Sequence, residues 1–166
     1  YSVFGSILSG FPFGQNLVVI QTKSESTADA ISGSLKLLSE MQTSEVEQAE
    51  LEQAKKSVQN SFVFKFATPD DYARRQALLR LLSYPQDYDQ TYVAKVGALH
   101  PKDLLDVAAK HWDLSKIVIV VVGNETAYNS LASKLKSNSN EFAGLKLYDC
   151  EFSQKLDNCN LSTESK

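Results

Sequence analysis

Two histidines and two cysteines carry the most versatile side chains in this 166-residue sequence, and their spacing limits what they can do together. His100 precedes Pro101 at the start of a predicted helix, a position that suits a capping or surface residue. His111 falls at the C-terminal end of that helix, where a cation is mildly favoured by the helix dipole. Two imidazoles so far apart, with no acidic third ligand at metal-binding spacing, do not make a catalytic zinc site. Cys150 and Cys159 follow no motif spacing, so a disulfide between them and a pair of unpaired thiols both stay open. No Ser/His/Asp or Cys/His arrangement presents itself, and no glycine-rich loop could cradle a phosphate. By itself the stretch is not expected to hydrolyse anything. Arg74-Arg75 reads as a solvated helix face, other basic residues are scattered, and the net charge is −3. Nucleic acid is therefore not the expected partner.

Any chemistry must be held by the elements that the hydrophobic pattern dictates. The most distinctive stretch is residues 47–66, EQAELEQAKKSVQNSFVFKF. Leu51, Ala54, Val58, Phe62 and Phe66 recur every three or four residues and define one stripe of an α-helix. Glu47, Glu50, Glu52, Gln53, Lys55, Lys56 and Gln59 fill the other faces. Glu52 precedes Lys56 by one helical turn, the favourable order for an ion pair worth about 0.2–0.5 kcal/mol. Leu51, Val58 and Phe62 are expected to be buried against a sheet containing residues 117–122, while Glu52 and Lys56 stay exposed. Thr68, Pro69, Asp70 and Asp71 then supply an N-cap, a proline at the first helical position and an acid three residues after the cap, so a second helix starts at once.

Around this pair the chain reads as α+β. Residues 1–8 and 17–22 are strand-like and flank a Gly-, Pro- and Asn-bearing loop, which predicts an antiparallel hairpin. Ser26, with Asp29 three residues on, starts a helix whose stripe is Ala28, Ile31, Leu35 and Leu38. A short helix over residues 87–96 uses Tyr88, Tyr92 and Val96. The next carries Leu104, Val107, Ala108 and His111 along one side. Residues 117–122 form an unbroken β-branched run that suits a central strand buried on both faces. Tyr128, Leu131 and Leu135 mark one more helix, and residues 145–150 one more strand. The aromatics Phe62, Phe64, Phe66, Tyr72, Tyr84, Tyr88, Tyr92 and Trp112 are expected in core or inter-helix packing. The expectation is a two-layer domain over residues 1–152, a largely antiparallel sheet covered by helices, with a polar tail over 153–166. At 43% hydrophobic and 22% charged the composition is ordinary globular material, and no apolar run approaches the ~20 residues that span a bilayer. The chain shows no signal peptide and opens in strand-like sequence without an initiator Met, which suggests a fragment of something longer.

The order of parts, with three local matches, resembles the C-terminal, non-zinc domain of the pitrilysin/insulinase-like zinc metallopeptidases. That family includes insulin-degrading enzyme and the mitochondrial processing peptidases. Tyr1-Ser2-Val3-Phe4 is similar to the strand that follows the family's "LREKRGLAYSV" stretch. Glu50-Leu51-Glu52-Gln53-Ala54-Lys55-Lys56, running through Ser61-Phe62 to Thr68-Pro69, is similar to its "EELERAK…SF…ETP" helix pair. His100-Pro101-Lys102-Asp103-Leu104, leading to the β-branched run and Gly123, is similar to its "VTPEDV…YL…VVVVG". His100 departs from the family's usual Ser or Thr cap.

The resemblance implies a metallopeptidase, processing-peptidase-like half that forms one wall of a peptide-binding chamber. The family's H-x-x-E-H signature, two imidazoles binding zinc and a Glu activating water, is not in this sequence. Zinc is therefore expected in the preceding domain or a partner subunit, with no cofactor in this segment. Implied partners are a peptide or protein substrate and the zinc-bearing domain or subunit, with neither nucleic acid nor a membrane span. In the family an Arg and a Tyr of the non-zinc half reach the active site. Tyr1 matches that Tyr, and the matching Arg would lie upstream. Its phenol would donate a hydrogen bond to the oxyanion formed when water attacks a peptide carbonyl. The plainer reading is that Tyr1 begins a strand and packs at the sheet edge. The other family-level possibility is a non-catalytic homologue, a scaffold or partner-binding subunit like the core proteins of a respiratory complex. The compartment stays open, with a lean towards the periplasm or another extracytoplasmic space.

Overall fold

Backbone groups at helix ends need partners, and the sequence supplies them at the expected points. A computed structural model of the chain describes residues 1–8, 14–137, 142–150 and 159–161. The expected loop after residues 1–8 falls largely outside these residues, as does most of the expected tail. The chain divides into two compact units, one of Tyr1–Ser39 with Asp113–Lys166 and one of Glu40–Trp112.

The Glu40–Trp112 unit is helical. It contains α2 (Gln48–Phe62), α3 (Pro69–Leu81), α4 (Tyr88–Gly97) and α5 (Pro101–His111). The long amphipathic stretch ends as an α-helix at Phe62 and runs on as a 3₁₀ turn, Val63–Phe66. The capping box that opens α3 forms as its sequence predicts: Asp71 N–H donates to Thr68 Oγ1 at 3.1 Å, and Thr68 N–H donates to Asp71 Oδ2 at 3.1 Å. At the other end of α3, Ser83 adopts a left-handed backbone with φ 57°. Its N–H donates to the Arg80 carbonyl at 3.1 Å, and Tyr84 N–H donates to the Leu79 carbonyl at 2.9 Å. These two bonds are the Schellman pattern, with serine where glycine is usual. Gln42 Nε2 closes α5 by donating to the Trp112 carbonyl at 2.5 Å and the Ala108 carbonyl at 3.3 Å, which satisfies oxygens a helix end leaves open.

The buried stripe of α2 differs from the expected one. Leu51 and Phe62 are buried, though not against the expected sheet, since residues 117–122 join no sheet among the described residues; Val58 is 38% exposed and Ala54 also faces solvent. Lys55 is buried instead, at 7% exposure. The reason is the lysine stem: its methylenes pack like an aliphatic residue while the ammonium reaches Glu52 Oε1 at 2.9 Å. Glu52 therefore pairs with Lys55 rather than Lys56. The aromatic expectation is also met only in part. Phe62, Phe66, Tyr88 and Tyr92 pack together, with Phe62 stacked on Tyr92 at 4.6 Å between centroids and edge-on to Phe66 at 5.2 Å. Phe64, by contrast, is 74% exposed.

The other unit mixes strands and helices. Ser2–Leu8 (β1) and Gln15–Gln21 (β2) pair antiparallel from Ser2 opposite Gln21 to Leu8 opposite Gln15, the expected hairpin. A 3₁₀ turn, Ser24–Ser26, leads into α1 (Thr27–Glu40), so Ser26 belongs to the turn rather than capping the helix. Asn124 caps α6 (Glu125–Lys136), accepting from Ala127 N–H at 3.2 Å. The core gathers Ala28, Ile31 and Leu35 of α1, Leu131 of α6 and Phe142, with Ile20, Ile117, Ile119, Leu135 and Leu145 packed against it. Tyr148–Cys150 (β3) pairs antiparallel with Cys159–Leu161 (β4).

Residues 117–122 are not the expected central strand. Among the described residues the sheets are two separate two-stranded pairs, and neither includes this run. Ile117 and Ile119 pack on the core, while Val118, Val120 and Val122 are 82%, 81% and 97% exposed. The alternation is that of an extended segment with one covered face. β-branched composition favours extended backbone but does not supply ladder partners. The described residues thus combine six α-helices with antiparallel strand pairs, a mixed α and β fold. No described helix is long and apolar enough to cross a membrane.

Candidate functional site

Tyr1 stands one residue before the first rung of the β1–β2 hairpin. That rung pairs Ser2 with Gln21, and Ser2 Oγ donates to Gln21 Oε1 at 3.1 Å across it. The side-chain bond fixes the open end of the hairpin and hence the point from which Tyr1 projects. Tyr1 is 89% exposed, so its ring is not packed at a sheet edge. Lys23, just past β2, holds extended backbone with φ −71° and ψ 151°. Its Nζ lies 5.8 Å from the centre of the Tyr1 ring, within cation–π range.

The hairpin end therefore presents an exposed phenol with an ammonium over the face of its ring. Both side chains are hydrogen-bond donors, so each suits a carbonyl or carboxylate oxygen. Sequence reasoning placed an upstream Arg beside Tyr1 and overlooked Lys23. The signal was available, since a register that pairs Ser2 with Gln21 sets residue 22 opposite residue 1 and carries residue 23 just past it.

The histidines are held apart. His100 and His111 lie at opposite ends of α5, and a rise of about 1.5 Å per residue separates them by roughly 16 Å or more. His100 N–H donates to Asp103 Oδ2 at 2.7 Å, which anchors the first turn of the helix. Both side chains are exposed. Among the described residues no cluster of three or more His, Cys, Asp or Glu is placed to hold a metal ion.

The adjacent arginines have different roles. Arg74 sits on the solvated face as expected, paired with Asp70 at 2.6 Å and 78% exposed at its side chain. Arg75 turns inward between α3 and α4. Its Nε and Nη2 both donate to Asp89 Oδ1, at 2.8 and 2.5 Å, and Gln76 Nε2 donates to the other carboxylate oxygen at 3.0 Å. The guanidinium carbon lies 5.5, 5.6 and 6.0 Å from the ring centres of Phe62, Phe66 and Tyr88. Burial first, and then the neighbouring Tyr84, push the Tyr88 phenol above its ordinary pKa. Both carboxylate oxygens of Asp89 are taken up by α3 side chains and the guanidinium is held among aromatic rings, so the cluster fastens helices together.

Elsewhere the perturbed groups are members of local ion pairs, Glu52 with the buried Lys55 and, on exposed surface, Lys102 with Asp106 and Asp113 with Lys116. The Lys116 ammonium, then the Ser115 hydroxyl, hold the Asp113 carboxyl down to about 2. Asp113 in turn raises Lys116. Asp113 Oδ1 accepts from Ser115 N–H at 3.1 Å, which caps the 3₁₀ turn Leu114–Lys116 that leads into the extended run. Comparison with protein-family models, curated proteins and solved structures finds no match to this chain.

Proposed function

We propose that this chain is the non-zinc C-terminal domain of a zinc-dependent metalloendopeptidase of the pitrilysin/insulinase type. It forms the wall of the peptide-binding chamber opposite the metal. The two-layer arrangement of a largely antiparallel sheet covered by helices is part of this proposal for the intact protein. The observation that carries it is the exposed Tyr1 phenol at the head of β1 with the Lys23 ammonium beside its ring. The ordered sequence matches support it, as does the passage from α2 to α3 through a proline-initiated capping box.

Zinc, which the preceding domain or a partner subunit would hold, would activate the attacking water there. The task of this chain is to bind the extended peptide and to meet the charge that develops on the carbonyl oxygen. Tyr1 Oη donates a hydrogen bond to that oxygen. The bond strengthens as the oxygen becomes an oxyanion, so it lowers the barrier more than it tightens substrate binding.

The test is Tyr1→Phe in the intact protein or complete pair of subunits. We expect kcat and kcat/KM to fall together by about 100- to 1,000-fold, the usual cost of a well-placed oxyanion donor, with KM nearly unchanged. The ring remains, so folding should be unaffected. Wild-type turnover in Tyr1→Phe would remove Tyr1 from the chemistry.

A second reading, a non-catalytic homologue that binds a partner subunit, draws on the exposed apolar hairpin, where Val3, Phe4 and Ile7 are 65%, 53% and 75% exposed. An H-x-x-E-H motif in the zinc-bearing half, together with turnover of a peptide library, would decide for the peptidase. Absence of both would decide for the scaffold.

A further inference from the structure

The two cysteines occupy one rung of a strand pair. β3 runs antiparallel to β4 with Tyr148 opposite Leu161, Asp149 opposite Asn160 and Cys150 opposite Cys159. Directly opposed residues of an antiparallel pair have Cα atoms about 4.5–5.5 Å apart. A disulfide spans Cα separations of about 4.4–6.8 Å. The first range lies wholly inside the second, so the backbone register alone brings the two positions within bonding distance. The ribbon also needs support. It has three rungs and, among the described residues, no third strand, and isolated two-stranded ribbons are marginal in water.

We propose that Cys150 and Cys159 form a disulfide that closes the β3–β4 ribbon. The oxidant class is a small-molecule disulfide such as oxidised glutathione. One cysteine loses its proton, and its thiolate attacks a sulfur of the small disulfide. A mixed disulfide forms and one glutathione thiolate leaves. The second cysteine, also deprotonated, attacks the protein sulfur of the mixed disulfide, forms the intramolecular S–S bond and expels the second glutathione thiolate. The protein gives up two protons and two electrons, and the small disulfide is reduced to two thiols. The register holds the two cysteine positions close before the second attack, which raises the equilibrium yield of the bridge over that of the unfolded chain.

The sequence makes the product easy to read. Trypsin cuts after Lys146 and Lys155, leaving Cys150 in peptide 147–155 and Cys159 in peptide 156–166. The protein is equilibrated in oxidised and reduced glutathione, quenched in acid, alkylated and digested without reduction. We expect the two peptides to appear joined, at the sum of their masses less two hydrogens. We also expect the ratio of bridged to dithiol protein to be at least about tenfold higher in the folded chain than in urea at the same redox ratio. In a mixture of isotopically labelled and unlabelled chains the link should join peptides of one label only. Cys150→Ser should leave Cys159 carrying a single glutathione. A bridge no more favoured in the folded chain than in urea would overturn the proposal. So would links that join labelled to unlabelled peptides, or two thiols that stay freely alkylated while the small disulfide is in excess.

Discussion

Replacing Arg75 separates a structural arginine from its solvated neighbour. The Arg75 and Asp89 side chains are 18% and 14% exposed, so the pair is largely but not fully removed from water. Breaking a buried ion pair from one side costs about 3–5 kcal/mol, because a charge is left without its partner. The remaining exposure and the bond from Gln76 to the same carboxylate lower that figure. Loss of the guanidinium from three aromatic faces adds back about 0.5–1 kcal/mol per well-formed contact, not additively. We expect Arg75→Ala to cost about 3 kcal/mol. Arg75→Lys should cost about 1–2 kcal/mol, since it keeps the charge but loses the two-pronged bond and the planar contact. Arg74→Ala is the internal control. Its pair with Asp70 is exposed on both sides and should be worth at most ~0.5 kcal/mol. The readout is urea unfolding followed by the fluorescence of Trp112, the sole tryptophan, which lies in the same unit with its carbonyl held by Gln42. If Arg75→Ala and Arg74→Ala shifted the midpoint equally, the inward arginine would be no more than a surface charge, and the account of α3–α4 packing would fail.

Phe62→Ala should cost about 3–5 kcal/mol by opening a cavity beneath Tyr92, whereas Lys56→Ala should cost almost nothing; comparable midpoints would mean the buried stripe of α2 is misassigned. Ser83→Gly should stabilise by about 0.5–1 kcal/mol, since glycine relieves a left-handed serine at some cost in chain entropy, and a lower unfolding midpoint would argue against the positive φ there. The Asp113 carboxyl, followed by carbon-detected NMR, should titrate near 2 rather than 3.8. Its folded-state pKa is lowered, so its stabilising effect is present above about 3.8 and fades as pH falls through 2. Lys116→Ala should return the midpoint towards 3.8, and an unmoved midpoint would rule out the ammonium as the main cause.

Local signals were the legible ones. Thr68, Pro69 and Asp71 announce a helix start because every bond of the capping box lies within four residues. The β1–β2 hairpin and the stripes of α1 and α6 follow from simple periodicity. Lys55 escaped because a residue scored by its charge hides four methylenes, and a helix turned by one position buries Lys55 in place of Ala54. Arg75 escaped for a related reason, since its partners Asp89 and Tyr88 lie on another helix and adjacency to Arg74 carries no information about them. The β-branched run at 117–122 was misread because pairing is decided by what lies alongside a strand, which composition does not encode. Lys23 was within reach of a register argument, but only once the hairpin rungs were numbered.

The outward row of Val118, Val120 and Val122 has a consequence for the behaviour of the protein at high concentration. An extended backbone with no ladder neighbour among the described residues and a row of branched apolar side chains is a template on which other molecules can add strands. The intrinsic β-propensity that makes the run extended also makes such stacking favourable, and each added chain offers a fresh edge. The sequence sets charge only outside the run, with Lys116 and Asp113 paired at the approach and Glu125 beyond Gly123 at the exit. Within the run there is no charged gatekeeper. Solubility should therefore fall steeply with concentration and temperature, and a single outward charge, such as Val120→Lys, should raise the threshold for turbidity while leaving the inward Ile117 and Ile119 on the core.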